Sequence, residues 1–172
     1  MTRRGNDRRL PPLLRRAWFS LNQAFRRRIA HLGLTPDQYT ALRTLAEAGR
    51  TGLNQQALTR LMSSDPNTIA SLLERMEAAA LVRRGPDAVD RRMRRVQLAP
   101  AGRRRFTQAQ KLALELQAEV LGGLAEDERE RFLERLEVVA EACRAAVERP
   151  ASTGRGLGAN GASRHPRTAV SR

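Results

Sequence analysis

The stretch VRRGPDAVDRRMRRVQL, residues 82–98, places six arginines between Arg83 and Arg95 against only Asp87 and Asp90. Guanidinium forks match phosphate oxygens and the major-groove edge of guanine, and crowding them at a turn is self-repelling unless an anion joins them. Just upstream, Pro66, Asn67, Thr68, Ser71 and Arg75 bring amide, hydroxyl and guanidinium groups within ten residues, which suits hydrogen bonding to bases and phosphates. A solvated loop and an ordinary polar helix face are the plain alternatives. Bond-making chemistry has no comparable set of residues. His31 and His165 are far apart, Cys143 is the lone cysteine, and no metal-ligand spacing, nucleophile pair or glycine-rich phosphate cradle occurs. No catalytic residue, metal or cofactor is therefore expected. Cys143 falls on an apolar helical stripe and reads as a packed thiol, with a redox or intersubunit role as the alternative.

The elements that must position these groups belong to a chain of 172 residues, 41% hydrophobic, with net charge +14. That length supports one compact core. The charge is uneven: residues 1–30 hold nine arginines against Asp7, and residues 81–105 hold nine against two acids, whereas residues 106–149 are net acidic. Such blocks attract nucleic acid or an anionic membrane surface. Lys111 is the only lysine, a bias that genomic base composition can share in producing. No apolar run approaches the ~18–20 residues that cross a bilayer, and the first thirty residues lack a signal-peptide core. A cytoplasmic location without membrane partners is expected.

Apolar spacing predicts helices on either side of a middle made of shorter pieces. Leu14, Trp18, Leu21, Phe25 and Leu32 form one stripe, Phe106, Ala109, Ala113, Leu116 and Val120 a second over about 103–121, and Phe132, Leu136, Val139, Cys143 and Val147 a third. In the middle, Thr35-Pro36 opens a helix carrying Tyr39, Leu42 and Leu45 that closes at Gly49, and Asn54 opens one with Ala57, Leu58 and Leu61 inward. Ser63-Ser64 breaks that second helix. Asp65-Pro66 pairs an N-cap with a proline at the first helical position, opening a helix over 65–80 with Ile69, Leu72, Leu73 and Met76 inward. Leu81-Val82 and the alternating Arg94, Val96 and Leu98 read as two strands around the Gly85-Pro86-Asp87 turn. Helix, turn, helix, strand, arginine-rich loop, strand is the order of a winged helix-turn-helix. Its second helix enters the major groove and its wing reaches the minor groove. The tail 150–172, rich in Gly, Ala, Ser and Pro, is expected to be disordered.

At these residues the chain resembles the MarR family of winged-helix regulators. DRRMRRVQLAPAG meets the family's wing signature at Asp90, Arg92, Leu98 and Gly102, with Ala99 where threonine is usual. SSDPNTIASLLERMEAAALVRR resembles its recognition helix and following strand, with Arg84 at the arginine position and Ala80 where glycine is usual. The resemblance implies a mainly α fold with a small β-hairpin wing, a winged helix-turn-helix plus N- and C-terminal dimerisation helices. The implied organisation is a basic arm at 1–10, a dimerisation helix at 11–33, a DNA-binding domain at 34–102, further dimerisation helices at 103–149 and the tail. In the implied homodimer the first and last helices of two subunits intertwine through Leu14, Trp18, Leu21, Phe25, Phe132, Leu136, Val139, Cys143 and Val147.

The same resemblance implies a ligand-responsive repressor on a palindromic operator in double-stranded DNA. Arg92 enters the minor groove, Asp90 steadies the wing through an ion pair with Arg84, and Arg91, Arg94 and Arg95 meet phosphates. A small aromatic or anionic effector is expected near Arg15, Trp18, His31 and Tyr39, although Trp18, on the apolar stripe, reads more strongly as packed dimer interface. Thiol sensing is disfavoured because Cys143 lies at the wrong end of the chain. The alternative function is a nonspecific architectural DNA- or RNA-binding protein, since +14 attracts many polyanions at low salt.

Overall fold

The computed structural model describes residues 9–86 and 94–149. In chain order these residues form helix α1 (Leu10–Ile29), a 3-10 turn (Ala30–Leu32), α2 (Pro36–Glu47), a second 3-10 turn (Gly49–Thr51), strand β1 (Leu53–Asn54), α3 (Gln55–Leu61) and α4 (Pro66–Ala78). Strands β2 (Val82–Pro86) and β3 (Arg94–Leu98) follow, then α5 (Pro100–Leu121) and α6 (Glu126–Glu148). The chain divides into two units between Leu124 and Ala125.

Local signals account for the helix starts. Thr35 closes a capping box on α2: its hydroxyl accepts from the Gln38 amide at 3.3 Å while Gln38 Oε1 accepts from the Thr35 N–H at 2.9 Å. Asn54 Oδ1 caps α3 by accepting from the Ala57 amide at 2.8 Å. Helix α5 begins at Pro100, three residues before the predicted Arg103, because proline pre-sets the first helical turn.

Helices α3 and α4 both end in left-handed residues that are not glycine. After α3, Ser63 (φ 49°) lets Ser64 N–H donate to Thr59 O and Ser63 N–H to Arg60 O; after α4, Ala80 (φ 53°) lets Leu81 N–H reach Met76 O and Ala80 N–H reach Glu77 O. These paired bonds are Schellman caps, which satisfy carbonyls the helix would otherwise leave open. Alanine pays for the left-handed conformation at Ala80, and Ala99 caps α5 with no side-chain oxygen. Ala80→Gly and Ala99→Ser are each expected to raise stability by about 1 kcal/mol in urea unfolding.

The sheet runs β1-β3-β2, antiparallel throughout, with Leu53 opposite Val96, Val82 opposite Leu98 and Arg83 opposite Gln97. Its inner face joins a core in which Ile29, Leu42, Leu45, Leu58, Ile69, Leu73, Met76 and Leu81 are fully enclosed. Every residue of the predicted inward stripe of α4 is buried. Leu61, predicted to face inward, is exposed, as is Val120 at the end of the α5 stripe. Leu61 ends α3 as the chain turns, and Met62 packs on the core in its place. The core runs from Phe25 to Leu116, so parts of α1 and α5 complete the hydrophobic interior of the first unit. Arg28 on α1 also pairs with Glu119 on α5.

Two glycines permit close backbone approach. At Gly102, in the first turn of α5, a Cβ would lie 1.9 Å from the carbonyl oxygen of Leu81. That same oxygen accepts from Ala99 N–H at 3.0 Å, tying the end of α4 to the start of α5. At Gly52 (φ 67°) a Cβ would lie 2.3 Å from Val96 O, where β1 meets β3.

Helix α6 forms the described part of the second unit. Its Arg144 pairs with Glu141 and with Glu148 along the polar side, the latter at 2.9 Å. No α6 residue is buried; Phe132 and Leu136 are exposed and Val147 is 85% exposed.

Candidate nucleic-acid interface

Helix α4 presents its predicted polar set outward. Asp65 Oδ1 accepts from the amides of Asn67 at 3.0 Å and Thr68 at 2.9 Å, so the first turn is held by its own cap. Gln55 Nε2 donates to Pro66 O at 3.4 Å, tying the start of α3 to the start of α4 across the turn. Pro66, Asn67, Thr68, Ser71 and Arg75 are exposed, while Ile69, Leu72, Leu73 and Met76 anchor the opposite side. The Thr68 side chain, followed by its backbone amide, holds the Asp65 carboxyl below the usual carboxylate range. A depressed folded pKa contributes stability that is complete above the unfolded value and is lost as pH falls through the folded one. Asp65→Asn keeps a good N-cap without a titrating group. Its thermal midpoint is therefore expected to fall less steeply than wild type on acidification below the usual carboxylate range. Identical acid limbs in melting curves contradict that role.

The wing arginines differ in their surroundings. Arg84, half-buried on β2, pairs through Nε with Glu77 Oε2 at 3.4 Å, fastening the wing base to the last turn of α4. Its Nε and Nη2 are enclosed without a hydrogen-bond partner among the described residues, so Arg84 is better placed to brace the wing than to grip DNA. Arg95, predicted to meet phosphate, donates from Nη1 to Gly52 O at 3.1 Å and is half-buried. It binds β3 to the residue before β1. Arg94 is exposed. Asp90, Arg91 and Arg92, with the proposed Asp90 ion pair, lie outside the described residues, as do the arm at 1–8 and the tail 150–172.

The expected dimer and effector residues separate into two groups. Leu14, Trp18 and Leu21 on α1 are exposed, Trp18 by 63%; Phe19, which the stripe omitted, is exposed by 58%. Its signal is adjacency to Trp18 on a helix whose first half buries nothing. Cys143 is exposed on α6 and Val139 is half-buried. Phe25 corrects the stripe: it is 8% exposed and belongs to the core of its own chain, its ring meeting Tyr39 edge-on at 4.8 Å. Tyr39 stacks in turn on Phe106 at 5.9 Å, and burial pushes its hydroxyl pKa up. The Tyr39 ring is thus engaged on both sides. His31 and Arg15 are exposed. Trp18 lies two helical turns, about 10 Å, along α1 from Phe25. A cleft of about 830 Å³ opens instead beside Arg50, Arg83, Arg103 and Arg104, and none of the four predicted effector residues lines it.

Residues 32–93 match the model of the MarR family. The transcriptional regulator HosA of Escherichia coli O127:H6 is 34% identical over 127 residues, covering 71% of this chain and 93% of HosA. The chain belongs to the MarR family. Membership makes it a DNA-binding transcriptional regulator rather than an enzyme. Among solved MarR-type folds, the repressor CouR of Rhodococcus jostii RHA1, bound to a 23-mer DNA duplex, is 25% identical. It matches with a TM-score of 0.73 over 81% of this chain and 99% of CouR. BpsR of Bordetella bronchiseptica, whose DNA binding is regulated by 6-hydroxynicotinic acid, is 25% identical with a TM-score of 0.71, covering 81% and 98%. In this MarR-family chain no described helix is long and apolar enough to cross a membrane.

Proposed function

We propose that the chain binds a palindromic operator as a homodimer, represses transcription from it, and is released by a small aromatic or anionic effector. The observation that carries this reading is the outward set Asn67, Thr68, Ser71 and Arg75 on a firmly capped α4, directly followed by an arginine-rich hairpin. Base edges are read by α4, and Arg92 enters the adjacent minor groove. Arg91 and Arg94 meet phosphates, Asp90 steadies the wing, and Arg84 and Arg95 set its angle through Glu77 and Gly52. The exposed apolar residues of α1 and α6 support dimerisation, because such residues on amphipathic helices require a covering surface. Two-fold symmetry then spaces the half-sites about one helical turn apart.

The effector reading draws on BpsR, whose ligand is an aromatic acid. Arg15 and Trp18, exposed on α1, supply a cation and an aromatic face, with His31 in the 3-10 turn that follows the helix; Tyr39 contributes as packed wall. Arg92→Ala is expected to weaken operator binding and to lower the slope of log affinity against log salt by about 1. Asp90→Ala is expected to weaken binding with the slope unchanged. Fluorescence anisotropy over a salt series checks both, and unchanged affinity in both variants contradicts the wing assignment.

A further inference from the structure

The geometry points to a second ligand site in the arginine-lined cleft, one that takes a small molecule bearing adjacent phosphates. The cleft of about 830 Å³ lies among the Gly49–Thr51 turn, the ends of β2 and β3, and the first turns of α5. That size suits an ordinary small ligand. Arg50, Arg83, Arg103 and Arg104 line it together with Gln97 and Thr107, and among the described residues no carboxylate does. Four guanidinium groups around one concavity repel one another unless an anion joins them. None of the described ion pairs occupies any of the four.

Two further features favour a polyanion. Gln97 holds opposite walls of the cleft in place: its Oε1 accepts from Arg83 Nε at 3.2 Å and its Nε2 donates to Arg50 O at 2.9 Å. The guanidinium of Arg83 is thereby oriented before any ligand arrives. Helix α5 also begins beside the cleft with no side-chain cap and no acid in its first turn, leaving the positive end of its dipole uncompensated. A diphosphate group engages several arginine forks at once, which a single carboxylate does not. None of the base-reading candidates on α4 lines the cleft. Arg83 and Gln97 face each other across β2 and β3, so an occupant bridges the wing base to α5 and alters DNA affinity through the wing.

Isothermal titration of the full chain with inorganic pyrophosphate, at constant ionic strength, tests this site without reference to DNA. Saturable binding of one pyrophosphate per chain is expected, at least tenfold weaker in Arg103→Ala/Arg104→Ala and within twofold of wild type in Arg26→Ala/Arg27→Ala, which removes equal charge from exposed positions on α1. Gln97→Ala, which leaves the charge intact, is expected to weaken binding about threefold, and melting curves verify that each variant is folded. Unsaturable binding, or equal losses in the two arginine pairs, overturns the proposal in favour of general charge screening. A loss of duplex affinity in Arg103→Ala/Arg104→Ala with pyrophosphate affinity unchanged also overturns it, making the cleft a contact for the DNA backbone.

Discussion

Gly102→Ala is expected to destabilise the chain by about 3 kcal/mol or more, the largest effect of any single methyl group added to it. The added carbon would sit 1.9 Å from Leu81 O and 2.9 Å from its carbonyl carbon, with Leu42 Cδ2 at 3.2 Å. Leu42 is a side chain and can adjust, but the Leu81 carbonyl is backbone at the end of α4. Moving it breaks the Ala99 N–H bond that joins α4, through Leu81, to α5. Because β2 starts at Val82, the same displacement tilts the wing. Loss of operator affinity should therefore accompany loss of stability. Gly85→Ala is the matched control: among the described residues nothing lies within 4 Å of the added carbon, and the change is expected to be neutral or stabilising by less than about 1 kcal/mol. Urea unfolding of both variants checks the contrast, and equal midpoints contradict the close approach.

Asn67→Ala/Ser71→Ala is expected to lower affinity for the operator ten- to a thousandfold while leaving affinity for random duplex, and the salt slope, nearly unchanged. Each base-reading pair is worth about 1–3 kcal/mol of discrimination, whereas phosphate contacts carry the nonspecific and salt-dependent part. These two residues are chosen because both side chains are exposed and the cap on Asp65 uses only the backbone N–H of Asn67. Thr68 is unsuitable for this purpose, since its side chain also serves the cap. A parallel fall in operator and random affinity would move the sequence readout away from α4.

What could be read from the sequence was local. Asp65-Pro66 marks the start of α4 because cap and proline act within one turn. The spacing of Ile69, Leu72, Leu73 and Met76 gives its buried side because helical period alone decides that. Partners were less accessible. Six arginines near the wing look alike in one dimension, yet Glu77 claims Arg84 and the Gly52 carbonyl engages Arg95, choices set by strand register and by residues far along the chain. The stripe of α1 specifies a face without saying what covers it: Phe25 shares that stripe with Leu14 and Trp18 and yet packs on Tyr39. Ser63 and Ala80 carry left-handed caps that their residue types do not announce. Gly102 was visible as a motif position, but its reason is the Leu81 carbonyl, twenty-one residues away. The cleft draws arginines from a 3-10 turn, a strand and a helix, and no spacing rule connects those.

Sequence-specific DNA recognition shows itself as a ratio of affinities. Duplexes selected from the source genome by the full chain are compared with random duplex of equal length, by competition at physiological salt. At least a thousandfold preference for a selected site with two-fold symmetry is expected. A ratio near one, with affinity for any duplex falling steeply with salt, would contradict it and identify a nonspecific polyanion binder.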